Sequence, residues 1–175
     1  VLQILFAAAV MAGDRIANTA GLGLAAQVDP TSGSQSPVIG QFFMLFLLAI
    51  FVTEDGHLAA IRLILDSYRL IPIGTPIAGT VLIDASMEAT TAMFRNAAQL
   101  MMPVVSVLLL LNLVIGVITR SAPSLNLFAF GFPLTMTATL VLLFLTVTSL
   151  GPALSERVAQ ALQHLMEMLN GLPNG

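Results

Sequence analysis

This sequence predicts an all-α fold of long, kinked, membrane-type helices and helical hairpins that pack into a larger helical assembly. Three observations carry that expectation. Hydrophobic residues make up 57% of the 175 positions and charged residues only 9%, against about 25% charged in soluble domains. Apolar runs at Val38–Thr53, Ala97–Thr119 and Leu125–Leu150 correspond as helices to about 24, 35 and 39 Å, and the last two exceed the roughly 30 Å of a bilayer core. Polar residues between the runs recur at helical spacing.

Charge and residue usage exclude several function classes. Six arginines, no lysine and a net charge of −3 provide no basic field for nucleic acid. No cysteine, no tryptophan and two separated histidines leave no disulfide, no thiolate chemistry and no spacing for a metal site. The opening run Val1–Ala12 has neither a charged leader nor a small-residue cleavage site, so it does not read as a signal peptide. The chain reads instead as lacking its true beginning.

Residues 1–20 are expected to form the first helix. Residues 21–37, GLGLAAQVDPTSGSQSP, form a loop well beyond the roughly 12–15 residues past which structureless connections are functional or disordered. GLGLA has no preceding strand and no Gly-Lys-Ser/Thr, so it is not a nucleotide site. Gly21 and Gly23 read as a helix C-cap followed by backbone that turns and approaches other chain closely.

A long helix is expected over 38–70. If it is continuous, Asp55, Arg62, Asp66 and Arg69 share a sector of roughly 60° with alternating sign. After the breaker IPIGTP, a second long helix over 77–119 places Asp84, Glu88, Thr91, Arg95 and Gln99 on one face. A charge at mid-bilayer costs at least about 2.5–3.5 kcal/mol, so these stripes face protein or water. Two readings stand: pairing within the chain, as of Arg62 or Arg69 with Glu88 or Asp84, and pairing with a partner chain or exposure to a wet lumen.

A helix over 125–150 follows the turn RSAPS, and Gly151-Pro152 is expected to separate it from an amphipathic helix over 152–170. In that tail Leu154, Val158, Leu162, Leu165 and Leu169 oppose Glu156, Arg157, Gln160, Gln163, His164 and Glu167. TEDGH at 53–57 gathers Glu54, Asp55 and His57, but no nucleophile is spaced near them and Gly56 marks a kink, so a helix-end role outweighs acid–base work.

One segment ends the anonymity. RSAPSLNLFAFGFPLTM, with Arg120, Pro123, Asn126, Phe128, Gly131, Phe132 and Pro133, resembles the signature of the flagellar biosynthetic FliR family of type III secretion export gates. DGHLAAIRLILDSYRLIPIG resembles that family's helix ending in Ser-aromatic-x-x-Pro-x-Gly, and VDPTSGSQSPVI its Asp-Pro loop. The order agrees over nearly the whole chain, taken as one domain over 1–175; the family's further N-terminal helices are missing. Gly131–Leu134 tilts the resemblance to the flagellar branch over the injectisome branch.

The resemblance implies a non-enzymatic subunit of the flagellar protein export gate in the bacterial inner membrane, within the basal body. It implies FliP-like, FliQ-like and FlhB-like partner subunits, contact with lipid, unfolded flagellar proteins as cargo and no cofactor. The front part would be FliP-like and the final hairpin FliQ-like. By similarity, 21–37 is the loop that plugs the channel, with Gly21, Leu22, Gly23, Gln27, Asp29, Pro30 and Gly33 as its candidate residues. Asp55, Arg62, Asp66, Arg69, Asp84, Glu88 and Arg95 are the candidates for charge pairing within or between subunits. The rival from another class is a secondary transporter fragment with a midplane site built on broken helices; an intramembrane hydrolase using Glu54, Asp55 and His57 ranks below it.

Overall fold

The computed structural model describes residues 2–22, 38–70, 79–122 and 130–171. These form helices α1 (Leu2–Thr19), α2 (Val38–Thr53), α3 (Gly56–Leu70), α4 (Gly79–Ser121) and α5 (Phe132–Gly171), with no strand among the described residues. The all-α expectation is met.

Packing centres on α1, which lies against both α2 and α4. Its buried positions, Leu5, Ala8, Ala9, Ala12, Gly13 and Ile16, repeat at three- and four-residue spacing and are mostly small. Small residues let helix backbones approach closely. A Cβ on Gly13 would stand 2.5 Å from the Cα of Gly40 and 2.7 Å from the carbonyl carbon of Ile39, so α1 and α2 touch backbone to backbone. From α2, Phe43, Leu47 and Phe51 continue the core at i+4 intervals, and the Phe51 ring meets Phe6 edge-on at 5.9 Å. From α4, Ala97, Leu100, Val104 and Leu108 close it, with Leu150, Leu154 and Val158 of α5.

At 1.5 Å per residue, the 43 residues of α4 run about 65 Å, twice a hydrocarbon core. Its stretch Ile83–Ser121 is long and apolar enough to cross a membrane, yet only 17% of its most apolar window is buried by the rest of the chain. Leu109, Leu110, Leu113 and Val117 on α4 and Leu140 and Phe144 on α5 stand exposed.

Two expected boundaries differ. The helix expected over 38–70 is two helices meeting at 71°. Asp55 takes the left-handed conformation at φ 55°, where the Thr53–Gly56 chain turns, and its carbonyl accepts the first amide bonds of α3 from Leu58 and Ala59 at 3.0 Å. Asp is one of the few non-glycine residues that visits this region readily. Gly56 fits beneath the Phe51 ring, where a Cβ would lie 2.5 Å from Cδ2. The turn breaks the helical phase, so Asp55 does not continue the stripe of Arg62, Asp66 and Arg69. TEDGH is an elbow.

The break expected at Gly151-Pro152 is not a helix end, because α5 runs through Pro152 to Gly171. It bends instead, the axes of 132–146 and 148–167 diverging by 62°. Pro152 removes the amide that would bond the Thr148 carbonyl and crowds it. Just before it, Thr146 and Ser149 hydroxyls bond carbonyls three or four residues back, which also bends helices.

Two glycines give opposite expectations. Gly13→Ala has no room against the α2 backbone and is expected to cost about 1–3 kcal/mol, as overpacking does. Gly116→Ala meets nothing within 4 Å and is expected to be neutral or to gain up to about 1 kcal/mol of helix propensity. Thermal unfolding of the purified protein followed by circular dichroism checks both.

Candidate functional site

The C-terminal end of α1, where the chain leaves for 23–37, is accounted for carbonyl by carbonyl. A helix leaves its last carbonyls without helical donors. Here the Ala20 amide bonds Ile16 O at 2.9 Å, the Leu22 amide bonds Ala17 O at 3.0 Å and the Gly21 amide bonds Asn18 O at 3.1 Å. The last two bonds, with Gly21 at φ 84°, make a Schellman cap. Among the described residues, the next two carbonyls are met from other helices. Asn112 of α4 donates its Nδ2 to Thr19 O at 3.0 Å, and the Thr135 hydroxyl of α5 donates to Ala20 O at 3.0 Å.

Gly21 also lies against Phe132. A Cβ there would stand 2.5 Å from the ring's Cε1, so close approach and positive φ both require glycine. The start of the loop and the Gly131-Phe132-Pro133 signature, which the sequence holds far apart, are thus one contact. Thr135 and Ala20 are buried at 5% and 1% exposure, so this bond is made out of water.

A second feature is a polar cleft of about 540 Å³ where the polar halves of α4 and α5 face each other beside the start of α1. Glu88, Arg95 and Asn96 of α4 and Arg157, His164 and Glu167 of α5 line it. Arg157 donates to the Asn96 side chain. His164 Nε2 lies 3.9 Å from Glu88 Oε2, too far for a hydrogen bond, and Glu88 is largely exposed. Exposed pairs contribute about 0–1 kcal/mol, so this one orients α5 more than it holds it. At the elbow, Ser155 donates to Glu54 at 2.9 Å and ties α5 to the α2–α3 turn.

The other charged candidates are not brought together. Arg62, Asp66, Arg69, Asp84 and Arg95 are exposed and form no ion pair among the described residues. Arg120 is exposed at the end of α4. Of the loop and signature candidates, Gly23, Gln27, Asp29, Pro30, Gly33, Pro123, Asn126 and Phe128 lie outside the described residues. Among the described residues no group of His, Cys, Asp or Glu converges as a metal site.

Sequence reasoning missed Asn112, Thr135, Asn96 and Asp14. Asn112 carried a signal, as the only side-chain amide in the apolar run 100–119. Thr135 carried none, since its hydroxyl also has a local acceptor, Phe132 O, at 3.0 Å. Asp14 follows the Val1–Ala12 run; its Oδ1 is buried without a hydrogen-bond partner, and burial pushes its carboxyl above the ordinary value of 3.8, against the lowering effect of Arg15.

What the α1 end and the cleft accomplish is the joining of helices, as in a membrane-type, all-α protein. Residues 1–161 match the family described as bacterial export proteins, family 1, and the chain belongs to it. Among similar proteins is the flagellar biosynthetic protein FliR of Escherichia coli (strain K12), 33% identical over 98% of this chain and 66% of its own length. FliR of Bacillus subtilis (strain 168) is 30% identical over 85% of this chain and 58% of its own length. The surface presentation of antigens protein SpaR of Shigella flexneri is 29% identical over 76% of this chain and 51% of its own length. The chain thus spans at most 66% of these relatives' length.

Gly21→Ala is expected to cost roughly 1–2 kcal/mol from the left-handed backbone alone, and more from the Phe132 ring. The double variant Gly21→Ala, Phe132→Ala is expected to lose less than the sum of the single losses, a coupling that denaturant titration of all four forms measures.

Proposed function

We propose that this chain is a subunit of the flagellar type III protein export gate in the bacterial inner membrane, passing unfolded flagellar proteins. The observation that carries the reading is the poor cover on α4: a helix about 65 Å long whose most apolar window is only 17% buried needs neighbours or lipid along most of its surface. FliP-like, FliQ-like and FlhB-like subunits are the proposed neighbours, and the family match supports this direction. The unpaired charges of α3 and α4 then find partners across subunit boundaries. Residues 21–37 serve as the closure of the channel, leaving from the braced end of α1. Glycine there permits close packing around an axis, while serine and glutamine give neither adhesive apolar surface nor strong charge.

The Gly131–Leu134 segment and the longer match to FliR of Escherichia coli (strain K12), over 98% of this chain against 76% for SpaR, favour the flagellar branch. The match to SpaR supports the injectisome as the second reading of the same gate.

Co-purification of the full-length chain with its FliP-like and FliQ-like neighbours is expected to yield a stable hetero-oligomer. Recovery of the chain alone, monodisperse, overturns the proposal. Arg62→Leu is expected to reduce that assembly by several-fold, and intact assembly removes the intersubunit role of Arg62. Deleting residues 22–36 is expected to leave assembly intact and make cells leaky to small ions; unchanged permeability removes the closure.

A further inference from the structure

We propose that His164 and Glu88 form a pH-operated latch: protonation of His164 draws the second half of α5 onto α4 and secures the cleft between them. Such a latch is independent of the assembly that the chain joins.

Most charged groups of the cleft are already partnered or in water. Glu156 and Glu167 accept hydrogen bonds from Gln160 and Gln163 on their own helix, at 3.0 and 2.9 Å, and Arg157 donates to the Asn96 side chain. Arg95 is exposed. His164 differs, because its Nε2 is buried away from water and makes no hydrogen bond. The group it faces, Glu88 Oε2 at 3.9 Å, makes none among the described residues either. An imidazolium–carboxylate hydrogen bond spans about 2.7–2.9 Å, so the two atoms stand roughly 1 Å short of one. A neutral imidazole carries its single proton on either nitrogen, whereas the charged ring donates from both. Protonation therefore guarantees an N–H at Nε2 and adds attraction to Glu88. Histidine is the side chain whose charge changes between about pH 5 and 8.

The arm that carries His164 is lightly held. Leu154 and Val158 anchor α5 just beyond the bend at Pro152, and Ser155 ties it to Glu54, but no residue from 159 to 167 is buried. His164 lies six residues beyond Val158, about 9 Å along the helix, so a swing of about 6° closes the gap.

No other element packed on this arm competes for the imidazole. Arg95 on α4 and Arg157 on α5 line the cleft, each seven residues, or about 10 Å of helix, from its end of the pair. That is about one screening length, whereas Glu88 attracts nearly in contact. Glu156 and Glu167 ride on α5 with His164, so their attraction does not pull across the cleft. Asp84 of α4 does not line it, and α1 contributes Ile4 and Leu5 rather than Asp14 or Arg15. Helix α2 has no ionisable residue, and none of His57, Arg62, Asp66 and Arg69 of α3 lines the cleft.

The chain has no cysteine, so spin labels at Thr91→Cys on α4 and Met166→Cys on α5, both exposed and outside the cleft lining, report the gap. The full-length chain is measured as it purifies, alone or with partners. Between pH 8 and pH 5.5 the distance distribution is expected to narrow toward its short end. The ratio of closed to open arm should rise roughly two- to fivefold, the scale of a partly exposed ion pair. His164→Gln and Glu88→Gln are each expected to abolish that response, and His164→Arg to hold the short distance at both pH values. Arg95→Gln is expected to leave the response in place. A wild-type distribution that ignores pH overturns the latch without recourse to any variant. A response that survives Glu88→Gln overturns it too, since the titrating contact then lies elsewhere.

Discussion

The backbone contact of Gly13 with Gly40 is the constraint from which the arrangement follows. Because α1 presents alanine and glycine at Ala8, Ala9, Ala12 and Gly13, α2 approaches to van der Waals contact of main chain with main chain. That closeness lets Phe43 and Leu47 reach the same core as Leu100, Val104 and Leu108 of α4. In a membrane, where lipid is as apolar as leucine, hydrophobic transfer drives helix association only weakly, and dispersion contacts between closely packed backbones take its place. A larger side chain at Gly13 would separate α1 from α2 and take apart the platform on which α4 and α5 are laid.

Polarity in this chain is sorted along the helices as well as around them. The first half of α4 and the second half of α5 carry most of their ionisable residues and face each other across the cleft, while the remaining halves are apolar except for Arg120 in the last turn of α4. The bonds across the cleft are few, Arg157 to Asn96 and the loose approach of His164 to Glu88. Arg62, Asp66 and Arg69 on α3 have no charged partner among the described residues. A chain with such charges next to bare apolar faces leaves both kinds of surface for other molecules, and the proposed gate brings the two demands together in one assembly.

Helix ends do much of the specification. Asp55 and Gly56 turn α2 into α3 through one left-handed residue and one ring contact. At α1, the last carbonyls are divided between local amides and two distant side chains, so ending the helix and attaching it are the same event. Apolar helices offer few other places for a directional bond, because an unpaired polar group away from water costs free energy wherever it is placed.

The helical class was legible in the sequence, since apolar periodicity and run length are properties of neighbours along the chain. So were the turn at Gly56 and the cap at Gly21, because both answer to local backbone geometry. The stripe of Asp84, Glu88, Arg95 and Gln99 was legible as a face; what it meets was not. The continuity of α5 through Pro152 was hidden as well, because a proline signals a lost amide bond without saying whether the helix stops or bends. Only the tertiary structure decided that Phe132 rests on Gly21 and that Asn112 and Thr135 take the carbonyls of Thr19 and Ala20. Spacing along a chain tells which groups share a face or lack a local partner. The crossing of helices in space determines which distant donor arrives within 3.0 Å of them.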